Sequence, residues 1–438
     1  MNQQEVDNIL ALHKFKLMGI NDDLINQHFG TNQEDGEQRS YKLSDLESNQ
    51  LDFSNKKLRN VKFKCVDLSN ANFEGADLKG SKFLNVNISN ANFKNAKFKG
   101  AVFYNACLKN TDLSEAIFTS ARFENCELDG VNLSQSKFNN ADFFRSGIID
   151  SNLELISLYQ ATFKLCNIAD CSFKEADLSD ASIYESSFEN VNFEQTKFLK
   201  LYVDSSSFKK ATFNTLDMTE VRIETSEWID VSFVGVTATD IRYGNCHFEN
   251  VEFKSSKITD FYFEEAALTN VTFNSVELND GQFYRVNVAQ SSTESVDSFI
   301  ECQFTKVRFE CANLNRINFL KSKINSTTIT SSNFTETKFD ECVLTEFQCN
   351  RSNLSNAYFI YSPINDFSLY YKTLMHGVQF EESEIIDARF NDSEFDGSNL
   401  LNMRKEKNSN NYYPRSDDDE VESAGLFGFL RSFFKKSA

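Results

Sequence analysis

The chain has 438 residues, a formal net charge of −19, and 44 phenylalanines against 2 prolines and 1 tryptophan. Apolar volume concentrated in one residue type is untypical of an enzyme, and so few prolines indicate a backbone that is hydrogen-bonded along most of its length, because proline lacks the N–H donor. The acidic excess disfavours direct nucleic-acid binding, which needs positive charge to displace counterions from phosphates.

The first 50 residues predict a short helical segment. Val6, Ile9, Leu10, Leu12, Phe15 and Leu17 follow a helix-like apolar pattern that ends near Gly19. A second short helix over residues 22–29, capped by Asn21, and an acidic loop over residues 32–38 follow. We expect residues 1–50 to cap the repeats that come next, since the end of a repeat array must be covered. A separate partner-binding domain is the alternative.

A five-residue period governs residues 51–403. An apolar residue occupies every fifth position, here called the centre, from Phe53 without a break to Val288. The register resumes from Phe304 to Leu374 and then, one residue out of step, from Phe380 to Leu400. Neither a helix, with a period of about 3.6 residues, nor a plain strand, with a period of about 2, gives this pattern. It predicts a chain that turns a corner every five residues, with the centre and the smaller residue two positions before it pointing inward.

Every twentieth residue repeats the same kind of side chain, which indicates four sides per turn. The series that starts at Phe53 reads three phenylalanines, three leucines and then six phenylalanines up to Phe273. We expect these side chains to stack in ladders within a narrow, close-packed interior.

The repeats resemble those of a known family. The pentads ANFEG (71–75), ADLKG (76–80) and ADLSD (176–180) are similar to the A-D/N-L/F-x-x pattern of pentapeptide-repeat proteins. The resemblance covers residues 51 to about 400. It implies an all-β solenoid in the form of a right-handed quadrilateral β-helix.

Two segments interrupt the register. The first is residues 289–303. The flanking centres Val288 and Phe304 are separated by three repeats plus one residue, which fits either a bulge or a protruding loop. The second interruption, at residues 375–379, predicts a single bulged residue.

Residues 404–438 predict a flexible tail. The polar, acidic stretch 408–423 is typical of a disordered linker, and the segment 424–438 is basic and rich in phenylalanine. This segment can enter a membrane interface, dock in a groove on a partner, or fold back onto the last turn near Leu400. The residues that would make the contact are Leu426, Phe427, Phe429, Leu430, Phe433 and Phe434.

Charge is distributed unevenly along the repeats. Residues 51–110 carry a net charge of +7, and residues 111–403 carry −22. Some pentapeptide-repeat proteins, including those that confer fluoroquinolone resistance, are thought to imitate duplex DNA and occupy DNA gyrase. The resemblance therefore implies DNA mimicry as one hypothesis for the acidic part, and solubility is the simpler interpretation.

No pattern in the sequence predicts a catalytic, cofactor or metal site. The ten cysteines form no C-x-x-C pair and the four histidines lie far apart, so free thiols in a reducing cytosol are expected. Phosphate-binding loops, zinc-protease motifs and nucleophile elbows are missing from the sequence.

The sequence thus predicts a non-catalytic interaction or scaffold protein that presents an acidic β-helical surface to a protein partner. A DNA mimic that binds gyrase or another topoisomerase is one rival. A secreted effector that meets host membranes through residues 424–438 is another. The start MNQQEVDN has no features of a secretory signal and no apolar run is long enough to span a bilayer, so we expect a cytoplasmic protein. The sequence is also compatible with a homodimer.

Overall fold

The computed structural model describes residues 1–17, 51–288, 298–370 and 373–381, with the shorter pieces 383, 385–386, 389–390, 403–405 and 412–414. The chain forms two compact units, Met1–Tyr202 and Val203–Ala438. The second helix and acidic loop expected within residues 18–50 lie outside the described residues.

The first unit begins with an α-helix, Gln3–Leu17, that covers the first turn of repeats. Val6 and Leu12 are buried. The Gln3 side chain completes the edge: its Nε2 donates to the Lys62 carbonyl at 2.9 Å, and its Oε1 accepts from the Lys62 N–H at 2.7 Å. The Met1 amino group donates to the Lys57 carbonyl at 2.8 Å. Backbone groups that would otherwise be an open sheet edge are therefore paired.

Both units are parallel β-solenoids in which each uninterrupted turn takes 20 residues. In the first unit, Lys62–Lys64 pairs with Lys82–Leu84, and Lys82–Leu84 pairs with Val102–Tyr104, each residue opposite the one 20 later. We name the four sides by their centres: the first holds Phe53, the second Leu58, the third Phe63 and the fourth Leu68, with their equivalents one turn on.

Strands of the first unit are three residues long, and isolated bridges complete its first and second sides. Its strands are Lys62–Lys64, Lys82–Leu84, Val102–Tyr104, Arg122–Glu124, Glu127–Asp129, Asp142–Phe144, Gly147–Ile149, Thr162–Lys164, Asn167–Ala169, Ser182–Tyr184, Ser187–Glu189 and Lys197–Leu199; Tyr202–Asp204 follows at the passage to the second unit.

In the second unit all four sides carry strands. They are Ser207–Lys209, Thr212–Asn214, Asp217–Thr219, Arg222–Glu224, Glu227–Ile229, Ser232–Val234, Thr237–Gly244, His247–Glu249, Glu252–Lys254, Lys257–Glu264, Ala267–Thr269, Thr272–Asn274, Glu277–Asn279, Gln282–Tyr284, Asn287–Val288, Ser298–Ile300, Gln303–Thr305, Arg308–Glu310, Asn318–Leu320, Lys323–Asn325, Thr328–Thr330, Lys338–Asp340, Val343–Thr345, Gln348–Asn350, Tyr358–Ile360, Ile364–Asn365, Ser368–Tyr370, Gln379–Glu381, Ile385–Ile386, Arg389–Phe390, Met403–Lys405 and Tyr412–Pro414.

The centres fill the interior as stacked ladders, which confirms the predicted all-β solenoid. Phe103 and Phe123 stack with ring centroids 4.6 Å apart and planes inclined by 2°. In the second unit Phe339 and Phe359 stack at 4.7 Å and 4°. All four rings are at most 1 % exposed. Rings in contact at this spacing leave no space for solvent along the ladder.

The corner of each pentad lies two residues after the centre. Residues such as Asn55, Asn60 and Asn70 adopt a φ of 55°, 59° and 61° there, in the left-handed region. Asparagine and aspartate tolerate this conformation better than other side chains that carry a Cβ. The asparagines at this position are therefore part of how the chain turns every five residues.

Both interruptions differ in position from the sequence prediction. Phe299 already occupies an inward position opposite Phe273, so the register returns one repeat before Phe304, and the extra residues fall within 289–297, outside the described residues. Near the second interruption, Met375 is buried and Leu374 pairs with Asn353. The extra residue therefore precedes Leu374, and the bulge expected at 375–379 was placed too late.

Part of the stretch that was expected to be a disordered linker forms a β-strand. Tyr412–Pro414 lies within the stretch 408–423 but pairs antiparallel with Met403–Lys405. Two adjacent tyrosines favour a strand more than the acidic residues that follow them do.

Candidate interaction surface

Two strands of the second unit are unusually long. Thr237–Gly244 and Lys257–Glu264 each run through the corner between the second and third sides, and they pair with one another along their length. Every other strand in the described part of this unit has two or three residues. The corner is therefore broader at these two turns than elsewhere.

Large side chains at the inward corner position accompany this broadening. In most turns of the first unit that position holds alanine, as at Ala101 and Ala121. Here it holds Ile241 and Phe261, each 2 % exposed. One turn on, Gly281 makes room, because a Cβ at Gly281 would lie 2.1 Å from Cε1 of the Phe261 ring. A large residue and the glycine beside it thus share one space.

An open groove of about 780 Å³ lies over this corner. It spans several turns, and its lining is mostly polar. The lining residues are Asp240, Arg242, Asp260, Phe261, Tyr262, Asp280, Gly281, Gln282, Lys306, Arg308, Ser326 and Thr328.

A column of aspartates forms one edge of the groove. Asp240, Asp260 and Asp280 lie 20 residues apart, each at a corner with φ near 50°, so they follow one another at the strand spacing of about 4.8 Å. Asp240 lies 3.6 Å from Arg242 and 3.8 Å from Arg222. These contacts between exposed side chains contribute little stability individually, and they neutralise part of the column.

Two charges in the groove have no ion-pair partner among the described residues. One is the Asp260 carboxylate. Its two neighbours in the column both have partners: Asp240 lies near two arginines, and Asp280 lies 3.7 Å from Lys306. Arg308, across the groove lining, is likewise exposed and unpaired within the described part of the chain. Tyr262 also lines the groove, with the Arg242 guanidinium 6.0 Å from its ring centroid. The surface offers one free acid, one free base and an aromatic ring.

The cysteines do not provide a nucleophile in the core. All ten are free, as expected, and seven are buried. Burial raises the pKa of Cys126 to about 12 and that of Cys166 and Cys171 to about 11. Thiols with such a pKa stay protonated near neutral pH and are poor nucleophiles. In the described part of the chain, no group of three acidic, histidine or cysteine side chains is arranged to hold a metal ion.

This groove was not predicted from the sequence. The contact residues that were predicted, Leu426, Phe427, Phe429, Leu430, Phe433 and Phe434, all lie outside the described residues. A signal was nevertheless present: a phenylalanine with a glycine 20 residues later, and aspartates at intervals of 20 beside both. No helix in the described part of the chain is long and apolar enough to cross a bilayer.

Solved structures with some likeness to the chain include three pentapeptide-repeat proteins. HetL, involved in heterocyst differentiation regulation in the cyanobacterium Nostoc sp. strain PCC 7120, is 17 % identical over 48 % of this chain and 94 % of its own, with a TM-score of 0.35. QnrB1, a plasmid-mediated fluoroquinolone resistance protein, is 15 % identical over 46 % and 93 %, with a TM-score of 0.21. A protein of the Arabidopsis thaliana thylakoid lumen is 24 % identical over 31 % and 70 %, with a TM-score of 0.14. Scores this low carry no information about function.

No curated protein is significantly similar to the sequence. The family model for pentapeptide repeats matches it in eight copies, at residues 49–80, 81–119, 116–143 and 156–195. Those matches coincide with the 20-residue turns of the first unit, and the chain is a pentapeptide-repeat protein.

Proposed function

We propose that the chain is a non-catalytic interaction protein that binds an extended polar segment of a partner protein in the groove at residues 240–328. The proposal depends on one observation above all: Asp260 and Arg308, of opposite charge, are both exposed in the groove without ion-pair partners among the described residues. A segment that carries a basic and an acidic residue would satisfy both charges.

The surrounding structure supports binding rather than catalysis. The groove is open, whereas chemistry is favoured in enclosed pockets that exclude water. Its carboxylates lie at exposed corners or beside arginine and lysine.

Mimicry of duplex DNA is the rival function. A mimic needs a dense, unneutralised row of negative charge, since B-DNA carries one charge per about 1.7 Å of its axis. Here Asp240 and Asp280 each lie within 4 Å of a cation, which lowers the field that a DNA-binding enzyme would meet. A gyrase supercoiling assay with increasing protein separates the two functions, because the proposed function predicts no inhibition.

Affinity capture with a charge-reversed groove tests the proposal. The tagged full chain and its Asp260→Lys/Arg308→Glu variant are compared with a Glu227→Lys/Lys254→Glu control, which reverses one acid and one base on the fourth and first sides. We expect at least one protein to be retained by the natural chain and the control and lost by the groove variant. Its affinity, measured calorimetrically with the purified protein, should fall at least tenfold. Equal binding to all three chains would contradict the proposal.

A further inference from the structure

A second surface, in the first unit, carries the opposite charge. The stretches 57–64, 77–84 and 97–104 are consecutive turns of the second and third sides, and together they hold eight lysines and arginines and a single carboxylate, Asp77. We call this set the basic patch: Lys57, Arg59, Lys62, Lys64, Lys79, Lys82, Lys97 and Lys99. All of them are exposed except Lys79, which is half-buried.

Like charges are stacked directly on one another in the patch. Lys62 pairs in register with Lys82 on the third side. On the second side, Arg59, Lys79 and Lys99 follow one another at intervals of one turn, which is about 4.8 Å. Like charges directly opposite across strands destabilise a sheet.

Elsewhere on the solenoid, residues one turn apart carry opposite charges. Residues 20 apart form ion pairs in Lys174–Glu194 at 2.9 Å, Arg316–Glu336 at 2.6 Å and Lys257–Glu277 at 3.5 Å. In the basic patch the one ion pair with a described residue is Arg59–Asp77, at 2.6 Å. Asp77 also lies in register between Lys57 and Lys97. The columns Lys62–Lys82 and Arg59–Lys79–Lys99 nevertheless place like charges on adjacent turns, and stability does not explain them.

The patch also includes apolar side chains on its flat third side. Leu84 lies on the strand that carries Lys82, and Val102 and Tyr104 lie on the strand that pairs with it; none of the three is buried. Tyr104 is 37 % exposed. Tyrosine beside lysine on an exposed surface is typical of the membrane interface, where the ring lies among headgroups and ammonium groups reach the phosphates.

Shape favours a lipid surface over a nucleic acid. The corner between the two sides holds the small residues Asn60, Gly80 and Gly100, so no side chain larger than asparagine projects between the two sets of cations. Sites for single-stranded nucleic acid are typically positively charged grooves, and duplex recognition relies on the planar fork of arginine. Seven of the eight cations are lysines, which act as point charges and suit the diffuse negative potential of a fluid bilayer.

We propose that the basic patch binds the surface of a membrane that contains anionic lipids. Each cation near such a surface adds to the electrostatic attraction. The remaining acidic surface of the chain is screened beyond roughly 8–10 Å at physiological salt, so the local charge of the patch governs the contact.

Vesicle sedimentation with the full chain tests this proposal. We expect the chain to pellet with vesicles of phosphatidylcholine and phosphatidylserine, to stay in solution with phosphatidylcholine alone, and to be released by raised salt. The Lys79→Glu/Lys82→Glu/Lys99→Glu variant should bind at least tenfold more weakly. The Lys254→Glu/Lys323→Glu/Lys338→Glu control has the same net charge and should bind normally. Circular dichroism checks that both variants are folded.

Three results would overturn the proposal. One is equal sedimentation with both kinds of vesicle. Another is an equal loss of vesicle binding in the patch variant and the control, which would show that only the net charge of the chain matters. The third is tighter binding to an oligonucleotide than to phosphatidylserine vesicles at the same salt. A Tyr104→Ser variant adds a readout without a change in charge: it should weaken binding at high salt, where electrostatic attraction is screened.

Discussion

At the scale of the residue, the position two before each centre shows how polar atoms are accommodated in the interior. Ser322 Oγ donates to the Phe299 carbonyl at 3.1 Å, and Cys342 Sγ donates to the Phe319 carbonyl at 3.2 Å. Serine and cysteine thus occupy an alanine-sized space while bonding to the backbone of the preceding turn. The buried cysteines are part of the packing rather than reactive groups.

Thiol reactivity follows from this arrangement. At pH 8 we expect Cys65 and Cys311, which are exposed, to react rapidly with a disulfide reagent, half-buried Cys107 to react slowly, and the seven buried cysteines to react only after unfolding. A Cys126 pKa of about 12 keeps that thiol protonated in the folded chain. Rapid reaction of more than three thiols in the native protein would contradict the packing.

The same thiols give stability a pH dependence. Their pKa is raised on folding, so they leave stability unchanged below the unfolded value of about 8.5. Above it the unfolded chain loses protons that the folded chain keeps, and stability falls until the folded pKa of about 12 is reached. Urea unfolding between pH 7.5 and pH 10 should show a decreasing midpoint. A rising midpoint would contradict the assignment.

At the scale of the element, the two long strands carry the large inward residues Ile241 and Phe261 at their corner. Phe261 packs edge-on against Phe283, with centroids 5.2 Å apart, and lies over Gly281. The five-residue period could be predicted from the sequence, since one large apolar residue in five leaves no other periodic structure. The broadened corner could not, because it depends on which turn lies beside which.

We expect Gly281→Ala to destabilise the protein by about 1–3 kcal/mol, the usual cost of overfilling a packed site. Its methyl group would enter the space of the Phe261 ring. In a double-mutant cycle with Phe261→Ala, the double variant should be more stable than the sum of the single effects, because removing the ring relieves the clash. Strict additivity would show that the two residues do not share a space.

The N-terminal helix is held by an unusual contact for a helix residue. The Gln3 amide takes the place of a neighbouring strand at Lys62, with one donated and one accepted bond. The apolar pattern of the sequence predicted the helix but not this pairing, because glutamine at a helix start has many other uses.

Replacement of Gln3 by alanine should release the edge of the first turn. We expect the Lys62 amide to exchange with solvent at least fivefold faster, since it loses its acceptor, while amides of the second unit are unchanged. Hydrogen exchange by mass spectrometry measures both. Unchanged exchange at Lys62 would show that the helix covers the edge without this bond.

At the scale of the whole molecule, both proposed functions belong to the outer surface. The interior is filled by centres that are almost all large and apolar, whereas the proposed roles of the groove at Asp260 and Arg308 and of the basic patch around Lys79 and Lys82 depend on individual side chains. The net charges along the sequence indicated the patch in outline. The like charges on adjacent turns within it required the register of the turns.

Adjacent aromatic residues on one strand test most directly whether every fifth side chain points into the core while its neighbour faces solvent. Phe359 is fully buried between Phe339 and Phe380, at 4.7 Å and 5.0 Å, whereas Tyr358 is 38 % exposed. Thermal unfolding followed by circular dichroism should show a loss of more than about 4 kcal/mol for Phe359→Asp, which buries a carboxylate in the ladder. Tyr358→Asp should cost no more than about 1 kcal/mol. Equal losses for the two variants would contradict the inward assignment of every fifth residue.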